Sequence, residues 1–290
     1  MFAVSTGKAK QKQALYGVGF ILPSLLGCLV FVLVPFASAI YRSFTNNLTG
    51  SFEGFRYYQE IFRNPSFLLA CQNTIRFIAW CVPILITLSL LLAMLLFKPI
   101  IGRNMLRAAF LLPMAIPVAS VALLWQVLFH ANGIINGILQ SFGFSGIDWM
   151  RSDAAIFCLV LSYVWKNLGY TMVMFLAALS NIAPSLYEAA DVDGASSFAR
   201  LHYITLPSLR PMLFTVTVLS LLNSFKAYRE AYLVAGKYPH NSIYLIQHTL
   251  NNWFATLDME KLSAAAVVTA LVILALVMLL NRAWSTSTNE

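Results

Sequence analysis

Four stretches of this 290-residue chain, 13–41, 77–97, 108–147 and 262–281, contain no Asp, Glu, Lys or Arg. A hydrocarbon layer of about 30 Å is crossed by about 20 apolar helical residues, because lipid offers no water to an open backbone group. Every one of the four is long enough to hold such a helix. Soluble domains are about a quarter charged, whereas this chain is 59% hydrophobic and 10% charged. The pattern predicts an all-α polytopic membrane protein and excludes a water-soluble globule.

Six transmembrane helices are expected, at about 14–41, 66–97, 105–129, 154–180, 211–234 and 262–282. Together they make one membrane domain, 14–284, between short tails 1–13 and 285–290, with a loop at 181–210. Pro23, Pro35, Pro83, Pro113 and Pro117 fall inside spans, which membrane helices tolerate better than soluble ones. The first run imitates a signal peptide, but a signal core is about 7–15 residues and this run is longer, so it is read as a retained span. Leu25-Leu26-Gly27-Cys28 imitates a lipoprotein box, yet Cys28 leads into LVFVLVPF, which stays apolar. All four cysteines (Cys28, Cys71, Cys81, Cys158) lie in apolar runs without C-x-x-C spacing, so neither a metal site nor a disulfide framework is expected.

Lys and Arg in the loops set orientation. With the N-terminus inside, nine fall on the cytoplasmic side (Lys8, Lys10, Lys12, Lys98, Arg103, Arg107, Arg200, Arg210, Arg282) and six on the other. The expectation is therefore that both termini and residues 181–210 lie in the cytoplasm. The net charge of +8 then reflects topology in a lipid partner. No nucleic-acid partner is expected.

The polar exception is EAADVDGASSFARLHYITLP, 188–207, between the fourth and fifth spans. It reads as two short helices joined at a glycine. Pro184 and Ser185 suit a first turn, with Glu188 and Asp191 complementing the dipole near that end. Gly194 permits a bend, Ser196 or Ser197 can cap the second helix, Phe198, Leu201 and Ile204 share a face, and Pro207 closes it. From the residues alone, an interfacial helix without a partner and a knob presented to a cytoplasmic partner are both open.

Glu188-Ala189-Ala190, Asp193-Gly194-Ala195 and Ile204-Thr205-Leu206-Pro207 resemble the EAA signature of ATP-binding-cassette (ABC) importer permeases, E-A-A-x-x-x-G followed by I-x-L-P. The motif stands in the loop where that family carries it. NPSFLLACQNT, RAAFLLPMAIPVASVALLW with GIIN, and VWKNLGY with FLAAL are similar to the carbohydrate-uptake branch, in particular the first maltose or glycerol-phosphate-type permease. The resemblance implies a MetI-like ABC importer permease fold, multi-pass in the bacterial cytoplasmic (inner) membrane. It also implies an ATPase-coupling role for Glu188, Ala189, Ala190, Asp193, Gly194, Ala195, Ile204, Leu206 and Pro207. The implied partners are a second homologous permease subunit, two ABC ATPase subunits and an extracytoplasmic solute-binding protein. The chain itself then needs no cofactor and catalyses nothing, since ATP is bound by the partner ATPase.

Ionisable side chains inside spans mark pathways, and here they are Arg76, Lys166, Lys226, Arg229 and Glu230. For Arg76, Lys226 and Arg229, snorkelling to the outer surface stands as an equal alternative. The resemblance places substrate contacts at Tyr163, Lys166 and Asn167, and at Ser220, Asn223, Ser224 and Ala227. Tyr170 completes an i, i+3, i+4, i+7 face with Tyr163, Lys166 and Asn167. Amide, hydroxyl and aromatic groups suit a hydroxyl-rich ligand, while interhelical hydrogen bonding is the structural alternative for Asn and Ser. Lys166 points to an anionic sugar or sugar phosphate. Val234-Ala235-Gly236-Lys237-Tyr238-Pro239 departs from the T-G-G-P-like turn of relatives, at the expected docking surface for the binding protein. The function expected is the permease subunit of a binding-protein-dependent sugar or oligosaccharide importer. The alternative is an ATP-independent channel or secondary transporter. An intramembrane enzyme has no support, since G-x-S-x-G, H-E-x-x-H and paired intramembrane aspartates are absent from the sequence.

Overall fold

The computed structural model describes residues 7–285, which are helical almost throughout; among them the sole strand-like pairing is a bridge from Thr45 to Phe52. Among the described residues, five helices are long and apolar enough to cross a membrane: Tyr16–Phe44, Pro65–Phe97, Val118–Ser141, Ala155–Ser180 and Met259–Trp284. A sixth crossing arises if Ser197–Ser208 and Arg210–Ala235, bent by 67°, are taken together.

The third expected span, 105–129, is two pieces, Arg103–Ala115 and Val118–Phe129. Pro117 causes the break. A proline ring disfavours helical backbone in the residue before it, and Ile116 is extended, with φ −75° and ψ 128°. Pro83, by contrast, stays within the uninterrupted helix Pro65–Phe97.

The residues fall into two compact units. One comprises the chain up to Arg63 with Trp253–Leu271. Its first span contains a π turn at Leu29–Leu33, and none of its most apolar window is buried. Beyond it, Phe44 packs on Phe52, Phe55 and Tyr58, and Ser43 shares a hydrogen bond with Tyr58 at 2.8 Å. Glu260 accepts from the Asn47 amide at 2.9 Å.

The second unit, Asn64–Asn252 with the residues from Val272, holds the larger core. The fourth span is its centre, with 56% of its apolar window buried. Phe77, Cys81 and Leu85 of the second span pack on Ile156, Leu159 and Tyr163 of the fourth. Toward the other end, Ala93 and Leu96 meet Met172, Phe175 and Leu179, joined by Leu209 and Val216. Gly169 allows the closest approach, since a Cβ there would lie 2.0 Å from the Phe110 carbonyl oxygen. The buried Asn136 of the GIIN stretch accepts from the Ile147 amide and Trp149 Nε1 at 3.0 and 2.9 Å, pinning the segment before the fourth span.

Candidate functional site

The loop after the fourth span forms helix Pro184–Val192, a turn, and a second helical piece, Ser197–Ser208, whose middle, Leu201–Thr205, is wound as a π turn. Pro184 occupies the first turn, where a missing N–H costs nothing. The first helix ends in a Schellman turn: the Ala195 amide donates to the Ala190 carbonyl at 2.9 Å, and the Gly194 amide to Asp191 at 3.2 Å. That ending needs a left-handed residue, and Gly194 has φ +71°. The glycine of the EAA stretch is thus required by its backbone, since nothing lies within 4 Å of where its Cβ would be. Ser196, of the two serines considered, caps the second helix by accepting from the Ala199 amide.

Two expectations are corrected here. Asp191 lies in the last turn of Pro184–Val192, and no acidic residue occupies the first turn. Asp191 instead pairs with Arg200 across the bend. Pro207 does not close the second piece, which continues to Ser208; the 67° bend falls at Leu209, before Pro211. Pro211 has no N–H with which to continue the ladder, and its ring clashes with a carbonyl four residues back.

Tyr187 Oη and Thr205 Oγ1, 2.9 Å apart, tie the two pieces together. Ala190 is buried inside this bracket, while Glu188, Ala189, Asp193 and Gly194 are exposed. Ala195, Ile204, Leu206 and Pro207 are half-buried. Val192 and Phe198, 88% and 76% exposed, put apolar surface on either side of Gly194. Glu188 makes no ion pair or hydrogen bond among the described residues.

The fourth and fifth spans, with Met114 and Val118 beside the break in the third, line an open cavity of about 440 Å³. Six of the eight residues predicted for the pathway line it: Tyr163, Lys166, Asn167, Tyr170, Asn223 and Ala227. Ser220 faces a small adjoining recess. Ser224 does not reach the cavity; it is buried and donates to the Leu221 carbonyl at 2.6 Å. The helix tightens to a 3₁₀ turn at Phe225–Ala227, and Lys226 within it lines the same space.

Several lining groups already have partners. Tyr163 is buried and its hydroxyl donates to the Ser220 carbonyl at 2.6 Å; its ring meets Phe77 edge-on. Asn167 donates to the Tyr163 carbonyl at 2.8 Å. Lys166 forms an ion pair with Glu230 at 2.8 Å, the two side chains only 18% and 11% exposed. The anion clue drawn from Lys166 is therefore corrected: its charge is matched within the chain. Arg229, read from sequence as equally a snorkelling side chain, lines the cavity, whereas Arg76 does not.

Under the pair lies a recess of about 20 Å³ lined by Trp125, Ser162 and Glu230. Trp125 Nε1, Ser162 Oγ and Glu230 Oε2 are buried there without a protein partner. The sequence reading missed Ser162 and the role of Glu230, because only pairing across two helices identifies them.

Beyond the fifth span, Gly236 adopts φ 75° and ψ −157°, a region open essentially to glycine. His248 Nδ1 accepts from the Leu245 amide at 3.0 Å, and Tyr228 and Tyr244 pack on its ring. Burial pushes this imidazole down to about 4.

Residues 85–286 match the family described as binding-protein-dependent transport system inner membrane component. The trehalose/maltose transport system permease protein MalF of Thermococcus litoralis is 30% identical over 275 residues, covering 93% of each chain. The arabinooligosaccharides transport system permease protein AraP of Bacillus subtilis is 32% identical over 263 residues, 88% of this chain and 84% of that one. A solved bacterial ABC transporter involved in the import of the acidic polysaccharide alginate shares the fold at a TM-score of 0.83 and 22% identity, over 96% of this chain and 97% of that one. The chain belongs to the family of inner-membrane components of binding-protein-dependent transport systems.

Proposed function

We propose that this chain is one of two permease subunits of an ATP-driven importer for a sugar or oligosaccharide. The reading rests on the relatives' named substrates and on one observation above all: an exposed, glycine-turned loop set on the end of a cavity-lining helix. ATP is bound and hydrolysed by two separate cassette ATPase subunits. Glu188 bridges to the ATPase, with Val192 and Phe198 giving apolar contact beside Gly194. A second, related permease completes the pathway, and a solute-binding protein delivers substrate from outside. Both termini face the cytoplasm, where the loop meets the ATPase.

The loop can pass motion to the cavity because Thr205, tied to Tyr187, and Leu209, fully buried against the second and fourth spans, lead directly into the fifth span. Movement of the loop then shifts Asn223, Lys226 and Glu230 relative to the fourth span. Hydroxyl-rich substrates find the Asn167 and Asn223 amides and the Tyr170 ring, a composition suited to sugars.

The test is sugar uptake by proteoliposomes holding the complete complex. Uptake is expected only with internal ATP and to vanish when the ATPase subunit carries a hydrolysis-blocking substitution. Uptake that persists without ATP would replace this reading with a channel or carrier.

A further inference from the structure

The cavity walls include two lysines, an arginine and a glutamate: Lys166, Lys226, Arg229 and Glu230. Glu230 is held by Lys166, which leaves the charges of Lys226 and Arg229 unmatched among the described residues. Lys226 donates to Asn223 Oδ1 at 2.7 Å, a neutral acceptor that keeps the ammonium over the cavity and leaves its other two hydrogens available. Arg229 makes no ion pair or hydrogen bond among the described residues and is exposed to the cavity. Two exposed cations facing one concave space, beside a pair that already neutralises itself, focus a positive field there that draws in anions, so they call for a negative guest.

Resting on the importer reading above, we propose that the cavity selects a sugar bearing an anionic group, carboxylate or phosphate, and that Lys226 and Arg229 bind it. The guanidinium presents a planar fork that meets two oxygens of either group, while Lys226 supplies a point charge. Lys166 is a positioning residue: through Glu230 it fixes the fifth-span turn that carries both cations. Tyr170 and the Asn amides serve the hydroxyl-rich remainder.

The test measures the charge of the cavity and its substrate preference separately. In the assembled importer, with Cys28, Cys71, Cys81 and Cys158 replaced by serine or alanine, Leu219→Cys on the cavity wall is reacted with an anionic thiosulfonate reagent (sulfonatoethyl) and a cationic one (trimethylammonioethyl). The anionic reagent is expected to react on the order of tenfold faster, after normalising to free thiol. Lys226→Gln with Arg229→Gln should erase that ratio. Equal rates, or a faster cation, would overturn the proposal, as a partner-subunit carboxylate neutralising the cations would produce.

Uptake is then compared for trigalacturonate, glucose 6-phosphate and maltotriose. Preference for either anionic sugar over maltotriose by about tenfold, lost in the double variant and reduced but not lost in Arg229→Lys, supports the proposal and identifies which anion is carried. Preference for maltotriose overturns it while leaving the importer reading intact. Uptake that survives complete modification of Leu219→Cys would show that sugar travels elsewhere; the importer's pathway assignment and this inference would then fall together.

Discussion

The loop at 184–208 and the cavity between the fourth and fifth spans each contain one ion pair, and the two pairs stand in opposite surroundings. Asp191 and Arg200 of the loop are 59% and 30% exposed; Lys166 and Glu230 of the cavity are 18% and 11% exposed. An exposed pair contributes about 0–1 kcal/mol, whereas a charge left alone in a buried site costs about 3–5 kcal/mol. The loop therefore takes its shape from backbone geometry, through the Gly194 turn and the Tyr187–Thr205 bond, and leaves Glu188 free for a partner. The cavity takes its shape from charge. Docking calls for a rigid knob in water, and passage calls for fixed charge in a place with little water.

The comparison can be broken in steps. Glu188→Lys should have the largest effect: reversing a charge at the proposed ATPase contact costs about 2–5 kcal/mol of association, and uptake should fall by a factor of roughly thirty or more with membrane insertion unchanged. Glu230→Gln strands Lys166 and should lower stability by up to about 3–5 kcal/mol, read as thermal inactivation of the purified complex. Lys166→Met combined with Glu230→Leu should recover most of that loss; a double variant no better than the single one would mean the pair is not the source.

Gly169→Ala should cost about 1–3 kcal/mol by the same assay, because its methyl meets the Phe110 backbone. Gly194→Val should cost about 1–2 kcal/mol through its left-handed backbone, and Gly194→Asn less, since asparagine visits that region. Equal behaviour of the two would indicate that space, not conformation, selects the glycine. Asp191→Ala should be smallest, within about 1 kcal/mol. A larger loss would erase the contrast between the two regions.

Much of this was legible in the sequence where the signal was local. Expected spans at 14–41, 66–97, 154–180 and 262–282 lie within a few residues of Tyr16–Phe44, Pro65–Phe97, Ala155–Ser180 and Met259–Trp284, because a gap in charge and the length of a bilayer crossing define them. The bend at Gly194 and the cap at Ser196 or Ser197 were readable for the same reason. The proline effects were not. Pro83 sits inside a continuous helix while Pro117 breaks one and Pro207 ends nothing, and which outcome holds depends on tertiary surroundings. The partner of Lys166 lies 64 residues away, and the need for Gly169 arises from a backbone 59 positions earlier in the chain (169 − 110). Neither is written in any local pattern. Ser224 is expected on the pathway from the resemblance alone, yet it is buried and its hydroxyl is spent on the Leu221 carbonyl of its own helix.

The most direct test of the account is to purify the tagged chain in mild detergent and identify what accompanies it, for the wild type and for Glu188→Lys. The account predicts a second six-span protein with both forms and a cassette ATPase with the wild type alone. A wild-type chain that purifies alone, folded and competent for uptake, would contradict it.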